Sequence, residues 1–193
     1  MKKIMALAVI LTAAALPLAA GDIHGTVVAA GAKGGADVVV YVGRIDGKTF
    51  APPAEHTKVI QKGMRFNPHV QVVLVGTTVD FVNSDTAKHN VFSVDTCADK
   101  FDLGLWSQGE SKSYTFKREC AATLLCNVHP EMEAFAVAVP TPYFAIAAAD
   151  GSYEIAGVPN GSYTVKVWHP RLKKAEQSVT VNGPTEVNFE IKK

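Results

Sequence analysis

In EVNFEIK (186–192), apolar side chains occupy every second position, with Val187, Phe189 and Ile191 on one side and charged or polar neighbours on the other. Successive side chains of an extended backbone point to opposite faces, so this period fits a half-buried strand and not an amphipathic helix. The period recurs in SYTFK (113–117), where Tyr114 and Phe116 share a face, and in SYTVKVWH (162–169) through Tyr163, Val165 and Val167. VQVVLV (70–75) and TVDFVN (78–83) flank a turn at Gly76-Thr77. No segment beyond residue 20 has a persuasive 3.6-residue apolar period, so the expected class is all-β.

The first twenty residues follow another rule. Lys2 and Lys3 precede an apolar run from Ile4, which gives way to small residues at Ala19 and Ala20. That is the pattern of a secretory signal peptide, and the run is shorter than the roughly 20 residues of a membrane span. We expect residues 1–20 to be removed near Ala20, with Leu18 an imperfect −3 residue, and the product to be soluble and periplasmic. Losing Lys2 and Lys3 takes the formal charge from +1 to −1, a balance that gives no support to nucleic-acid binding. Disulfides persist outside the cytoplasm. Three cysteines is an odd number, so at least one is free, intermolecular or bound to another group.

Prolines divide the remainder. Pro52-Pro53 and Pro140-Thr141-Pro142 bracket a block of 55–139, leaving an N-terminal piece (21–50) and a C-terminal piece (143–193). The stretch from Asp150 to Tyr163, DGSYEIAGVPNGSY, resembles the middle strands of carboxypeptidase-regulatory-like, transthyretin-like β-sandwiches. That family opens with a G-x-V strand and an A-x-V-x-V strand, and HGTVVA (24–29) and ADVVVYV (36–42) are similar to both. The resemblance implies a small discontinuous sandwich with the central block inserted between its second and third strands. The alternative is that 21–50 adds edge strands to the central block.

The central block holds all three cysteines and, in LLCNVHPEM (124–132), a cysteine, a histidine and a methionine within seven residues. Upstream, NSDTAKHNVFSVD (83–95) places His89 and Asn90 at the start of a Val/Phe strand. His89, Cys126, His129 and Met132 together offer two imidazoles, a thiolate and a thioether. Two His and one Cys in a plane with a weak axial Met describe an electron-transfer copper site. A structural zinc site more often takes four Cys or His ligands, and a second cysteine is not close by. The Cys-x-x-Cys-His of haem attachment does not occur.

These residues resemble the plastocyanin/azurin-type cupredoxins: F-x-P at Phe66 to Pro68, VGTTVDFVN at 75–83, His89-Asn90, and a closing Cys-x2-His-x2-Met loop of amicyanin-like spacing. The resemblance spans roughly 58 to 139 and implies a Greek-key sandwich with one type 1 copper on His89, Cys126, His129 and Met132. It further implies that Asn90 directs its N–H at the Cys126 sulfur and ties the two ligand loops with its side chain. The chain departs from the family in carrying RECAATLLC (118–126) in place of a Pro-Gly turn and Tyr before the ligand cysteine. Cys97 lies eight residues beyond His89 and Cys120 six before Cys126, each roughly 20–26 Å from the copper end at strand rise. If the two strands are neighbours, as in cupredoxins, the resemblance implies a Cys97–Cys120 disulfide at the far end.

The remaining histidines, His24, His56, His69 and His169, read as surface or strand-end residues, with His69 nearest the copper end. Met64 and Trp106 read as packing or surface residues, and Glu131 and Glu133 as an acidic rim suited to a basic partner. The resemblance implies a periplasmic single-electron carrier serving transient soluble redox partners, such as a c-type cytochrome or a periplasmic dehydrogenase. A rival reading is copper storage, delivery or tolerance, although only three Met follow the initiator. An enzyme with a second copper centre is not expected, because no His-x-His occurs.

Overall fold

The computed structural model describes residues 20–31 and 37–193. The expected signal peptide therefore lies outside the described residues apart from Ala20, as does Ala36 of the second expected strand. The N-terminal piece supplies β1 (Ala20–Ala29) and β2 (Val39–Val42). The central block runs through β3 (Thr57–Gln61), β4 (Phe66–Asn67), β5 (Val70–Leu74), β6 (Thr78–Asn83), β7 (His89–Ser93), β8 (Phe101–Trp106), β9 (Ser111–Thr115), β10 (Cys120–Leu125) and β11 (Glu133–Val139). The C-terminal piece adds β12 (Phe144–Ile146), β13 (Ser152–Pro159), β14 (Gly161–Trp168), β15 (Ala175–Val181), β16 (Thr185–Glu186) and β17 (Phe189–Ile191). Among the described residues the one helical element is a 3-10 turn at Thr96–Ala98, and the fold is all-β.

Two sheets of the central block, in the orders β5-β11-β10-β7-β8 and β4-β3-β6-β9, enclose one apolar core that includes Val59, Phe81, Phe116 and Leu124. The strands of 21–50 extend neither sheet. β1 pairs with β13, β16 and β17, and β2 pairs with β12 and β14. The resulting sheets, β13-β1-β16 with β17 alongside and β12-β2-β14-β15, enclose a second core around Ile23, Val40, Ile155 and Val165.

The β12-β2-β14-β15 sheet also packs against the central block. Val39, Tyr41 and Trp168 meet Val70, Val72, Phe135, Val137 and Val139 in a third apolar cluster. Strands at the junction are therefore covered on both faces, β2 and β11 among them. In β2, Val40 and Val42 enter the second core while Val39 and Tyr41 face the junction. In β11 the small side chains Ala134, Ala136 and Ala138 fill the first core, and Phe135, Val137 and Val139 fill the junction. Polar contacts rim the junction, with Tyr41 donating to Glu119 at 3.1 Å, Lys166 bridging the same carboxylate at 2.9 Å, and the Thr141 hydroxyl donating to the Val42 carbonyl at 2.7 Å.

EVNFEIK keeps its inward face, since Val187, Phe189 and Ile191 are all buried, but it forms two short strands instead of one. At the break the Asn188 side-chain oxygen accepts the Thr26 N–H at 2.8 Å, in the place of a ladder carbonyl, and the Val187 N–H donates to the His24 carbonyl. β1 thereby exchanges β16 for β17. Gly25 permits the crossing, because a Cβ there would lie 2.0 Å from the Val187 carbonyl oxygen.

Candidate metal centre

β11, β10 and β7 are consecutive neighbours in one sheet. β10 runs antiparallel to β7, so the start of β7 and the end of β10 lie at the same edge of the sandwich. His89 opens β7 and Cys126 follows the last residue of β10. The chain then turns tightly, the Met132 N–H donating to the His129 carbonyl at 2.9 Å, before β11 begins at Glu133. The Nδ1 atoms of His89 and His129 face each other at 3.0 Å. One nitrogen from each and the Cys126 sulfur all lie within 4.8 Å of one another. His89, Cys126 and Met132 are buried, with Met132 in the same apolar cluster as Cys126, and His129 is half-buried.

Asp85 sets the orientation of His89. Its Oδ2 is 3.0 Å from His89 Nε2, and a carboxylate there accepts Nε2–H, which leaves the Nδ1 lone pair directed at His129 and Cys126. The carboxylate is itself held by the Gly63 N–H at 2.7 Å and the Met64 N–H at 3.0 Å. The Met64 N–H is the largest influence on the Asp85 carboxyl and lowers its pKa. Partial burial opposes that shift, and the Gly63 N–H and His89 reinforce it, so the group stays below the ordinary carboxylate range.

Asn90 joins the two ligand segments: its Oδ1 accepts the Asn127 N–H at 2.7 Å, beside Cys126. Its Nδ2 donates to Asp102 at 3.3 Å, and Asp102 also receives Asn127 Nδ2 at 3.4 Å. Among the described residues the Asn90 N–H forms no hydrogen bond to the Cys126 sulfur.

At the opposite end, Cys97 in the 3-10 turn and Cys120 at the start of β10 form a disulfide, their Cα atoms 5.4 Å apart. The same two strands that carry His89 and Cys126 are thus linked covalently at their far ends, and Cys126 is a free thiol.

The other histidines are engaged elsewhere or exposed. His56 contacts Asp80 at 2.8 Å, His69 contacts Asp37 at 2.9 Å, His169 accepts the Arg171 N–H at 3.1 Å, and His24 is exposed. Trp106 is buried opposite His89 in β8, and Met64 is exposed. Glu131 and Glu133 line a cavity of about 340 Å³ that also contains Arg65 and Arg171, and Arg171 lies 3.6 Å from Glu133. The rim beside Met132 is therefore of mixed charge, and a basic partner no longer follows from it.

Sequence reasoning missed Asp85, Asp102 and Asn127. Asp85 sits in a turn where no strand or helix period applies, so no pattern marked its carboxylate as facing His89. The donor set itself fits copper: two imidazole nitrogens and a thiol sulfur converge in a mostly apolar pocket, with a buried thioether in the same cluster.

Residues 54–139 match the family described as copper binding proteins, plastocyanin/azurin family. No curated protein matches the chain significantly. Similar solved structures include a copper-containing nitrite reductase from Thermus scotoductus, at 24% identity over 52% of this chain with a TM-score of 0.43. The match spans only 25% of that reductase. A purple cupredoxin from Nitrosopumilus maritimus matches at 22% identity over 42% of this chain and 98% of its own, with a TM-score of 0.38. Amicyanin from Paracoccus versutus matches at 22% identity over 46% of this chain and 91% of its own, with a TM-score of 0.41.

Proposed function

We propose that this chain, whose residues 54–139 match the copper-binding plastocyanin/azurin family, is an exported carrier of single electrons between soluble redox proteins. The observation that carries the reading is the 3.0 Å approach of two imidazole Nδ1 atoms beside a buried free thiol. In this reading His89, Cys126 and His129 would hold one type 1 copper, with the Met132 thioether, buried in the same cluster as Cys126, as a further donor. Copper supplies the one-electron couple Cu(II)/Cu(I).

The protein's part is to hold the donors still. Asp85 fixes the His89 ring, Asn90 ties its own strand to the segment after Cys126, and the disulfide closes the far end of the same two strands. Ligands anchored in this way move little when the charge of the site changes, which suits rapid electron transfer. His129 is the half-buried ligand and gives electrons their way in and out. Exposed Val128 adjoins it in sequence, Leu105 pairs with Asn90, and Met64 lies next to the turn that binds Asp85. Scattered apolar side chains of this kind suit a small, transient interface with a c-type cytochrome or a periplasmic dehydrogenase.

Export to the periplasm is supported by the Lys2–Ala20 pattern and by a disulfide of the sort that persists in oxidising compartments. We read the second sandwich as a carboxypeptidase-regulatory-like scaffold, packed on the central block through Trp168 and Tyr41.

The test is a Cu(II) titration followed by visible absorption and electron paramagnetic resonance, on the wild type and on Cys126→Ser. An intense thiolate-to-copper band at one equivalent, lost in the variant and reversibly bleached by reductant, is expected. A colourless complex in the wild type would refute the carrier reading and favour copper storage or delivery.

A further inference from the structure

Gln61 breaks the pattern of its own strand. In TKVIQ, Val59 and Gln61 are the inward positions, and Gln61 has no solvent exposure at all. Alternation assigns that face to apolar side chains, and a buried primary amide costs free energy unless both its ends are bonded. Here only one end is. Nε2 donates to the Asn90 carbonyl at 3.2 Å, while Oε1 finds no partner among the described residues. An unbranched apolar side chain of similar length would remove the unpaired Oε1 in exchange for the one bond to the Asn90 carbonyl.

What the amide touches is specific. β3 belongs to the sheet facing the one that contains β7, so the Gln61–Asn90 bond crosses the interior of the sandwich. It ends on the backbone of the residue that follows His89 and whose side chain accepts the Asn127 N–H next to Cys126. The backbone of β3 is itself secured nearby, because the Gln61 carbonyl accepts the Ser84 N–H at 2.8 Å. A single buried side chain thus connects the opposite sheet to both ligand-bearing segments.

We propose that Gln61 is a positioning residue of the metal centre, holding the Asn90 backbone so that the Asn90–Asn127 bond keeps His89 and Cys126 in register. This inference rests on the copper-site reading above. It does not require Gln61 to touch the metal.

The test uses the full chain with Gln61→Met, and Gln61→Leu should the first variant not accumulate in folded form. In the metal-free protein the variant is expected to melt close to the wild type, since the lost bond and the removed unpaired oxygen oppose each other. Its Asn127 amide should exchange with solvent about fivefold faster, the effect of losing roughly one neutral hydrogen bond of support. With one equivalent of copper its reduction potential and thiolate-to-copper band should both differ from those of the wild type. Wild-type exchange at Asn127 with an unchanged potential would overturn the proposal while leaving the copper reading intact. Faster exchange throughout the core with a lower melting temperature would also overturn it, making Gln61 a packing residue alone. A wild-type protein that develops no thiolate band would instead refute the copper reading, before any Gln61 variant is compared.

Discussion

Replacing Asp85 with Asn changes the site by little more than a proton, yet the structure predicts a clear loss. The carboxylate accepts three donors: the Gly63 N–H on Oδ1, and the Met64 N–H and His89 Nε2–H on Oδ2. An amide in the same place keeps one acceptor and turns an NH₂ group on the remainder. In its better orientation it still forfeits the Gly63 bond and sets donor against donor; in the other it forfeits both Met64 and His89. A hydrogen bond to a charged group contributes about 1.5–3 kcal/mol, and the Asp85 side chain is only 17% exposed, so screening removes a minor part. We expect the metal-free protein to lose about 2 kcal/mol in urea denaturation. Partners that orient a metal-binding His typically influence affinity by about 10–100-fold, so chelator competition should show a loss of Cu(I) affinity in that range. Stability within about 0.5 kcal/mol of wild type, the range of a neutral surface change, together with unchanged affinity would refute the reasoning. The His89 ring would then be held by packing alone.

The disulfide closes a loop with a sequence separation of 23, for which the chain-entropy relation gives about 3.4 kcal/mol. The Cys97→Ser/Cys120→Ser double variant should be destabilised by about that amount in denaturant, and a loss below about 1 kcal/mol would show that the unfolded chain is not the main target of the cross-link. Asp80 governs part of the acid response. Burial alone would raise its carboxyl pKa, but the Ser113 hydroxyl at 2.6 Å and His56 outweigh it, so the folded value lies below the ordinary one. The associated stability is complete above the unfolded value, about 3.9, and is lost as pH falls through the lower folded value. Denaturant midpoints measured from pH 6 downward, about one unit apart across the carboxylate range, should therefore fall less steeply in Asp80→Asn than in wild type.

Several features could be read from the chain because they depend on neighbours in sequence. The period of two in SYTVKVWH and EVNFEIK follows from the strand backbone itself, and the buried Val165, Val167, Phe189 and Ile191 obey it. Cys126, His129 and Met132 occupy one loop since a few residues of backbone cannot carry them apart. Other features depend on which strands become neighbours, and local pattern does not encode that. β1 lies against β13, β16 and β17, more than a hundred residues away, and breaks EVNFEIK where Gly25 lets the Val187 carbonyl approach. The alternation of Ala and larger residues in β11 fits a strand but does not say that both its faces would be covered, one by the first core and one by the second sandwich. The meeting of His89 with His129 likewise follows from β7 lying beside β10. Asp85 and Gln61 reach the site through single hydrogen bonds across space, and a bond of that kind leaves no periodic trace in sequence. The amino-acid order determined the strands and the donor types; the long-range pairing of those strands decided which donors share a site and what holds them there, because hydrogen-bond and packing partners are chosen by proximity in three dimensions.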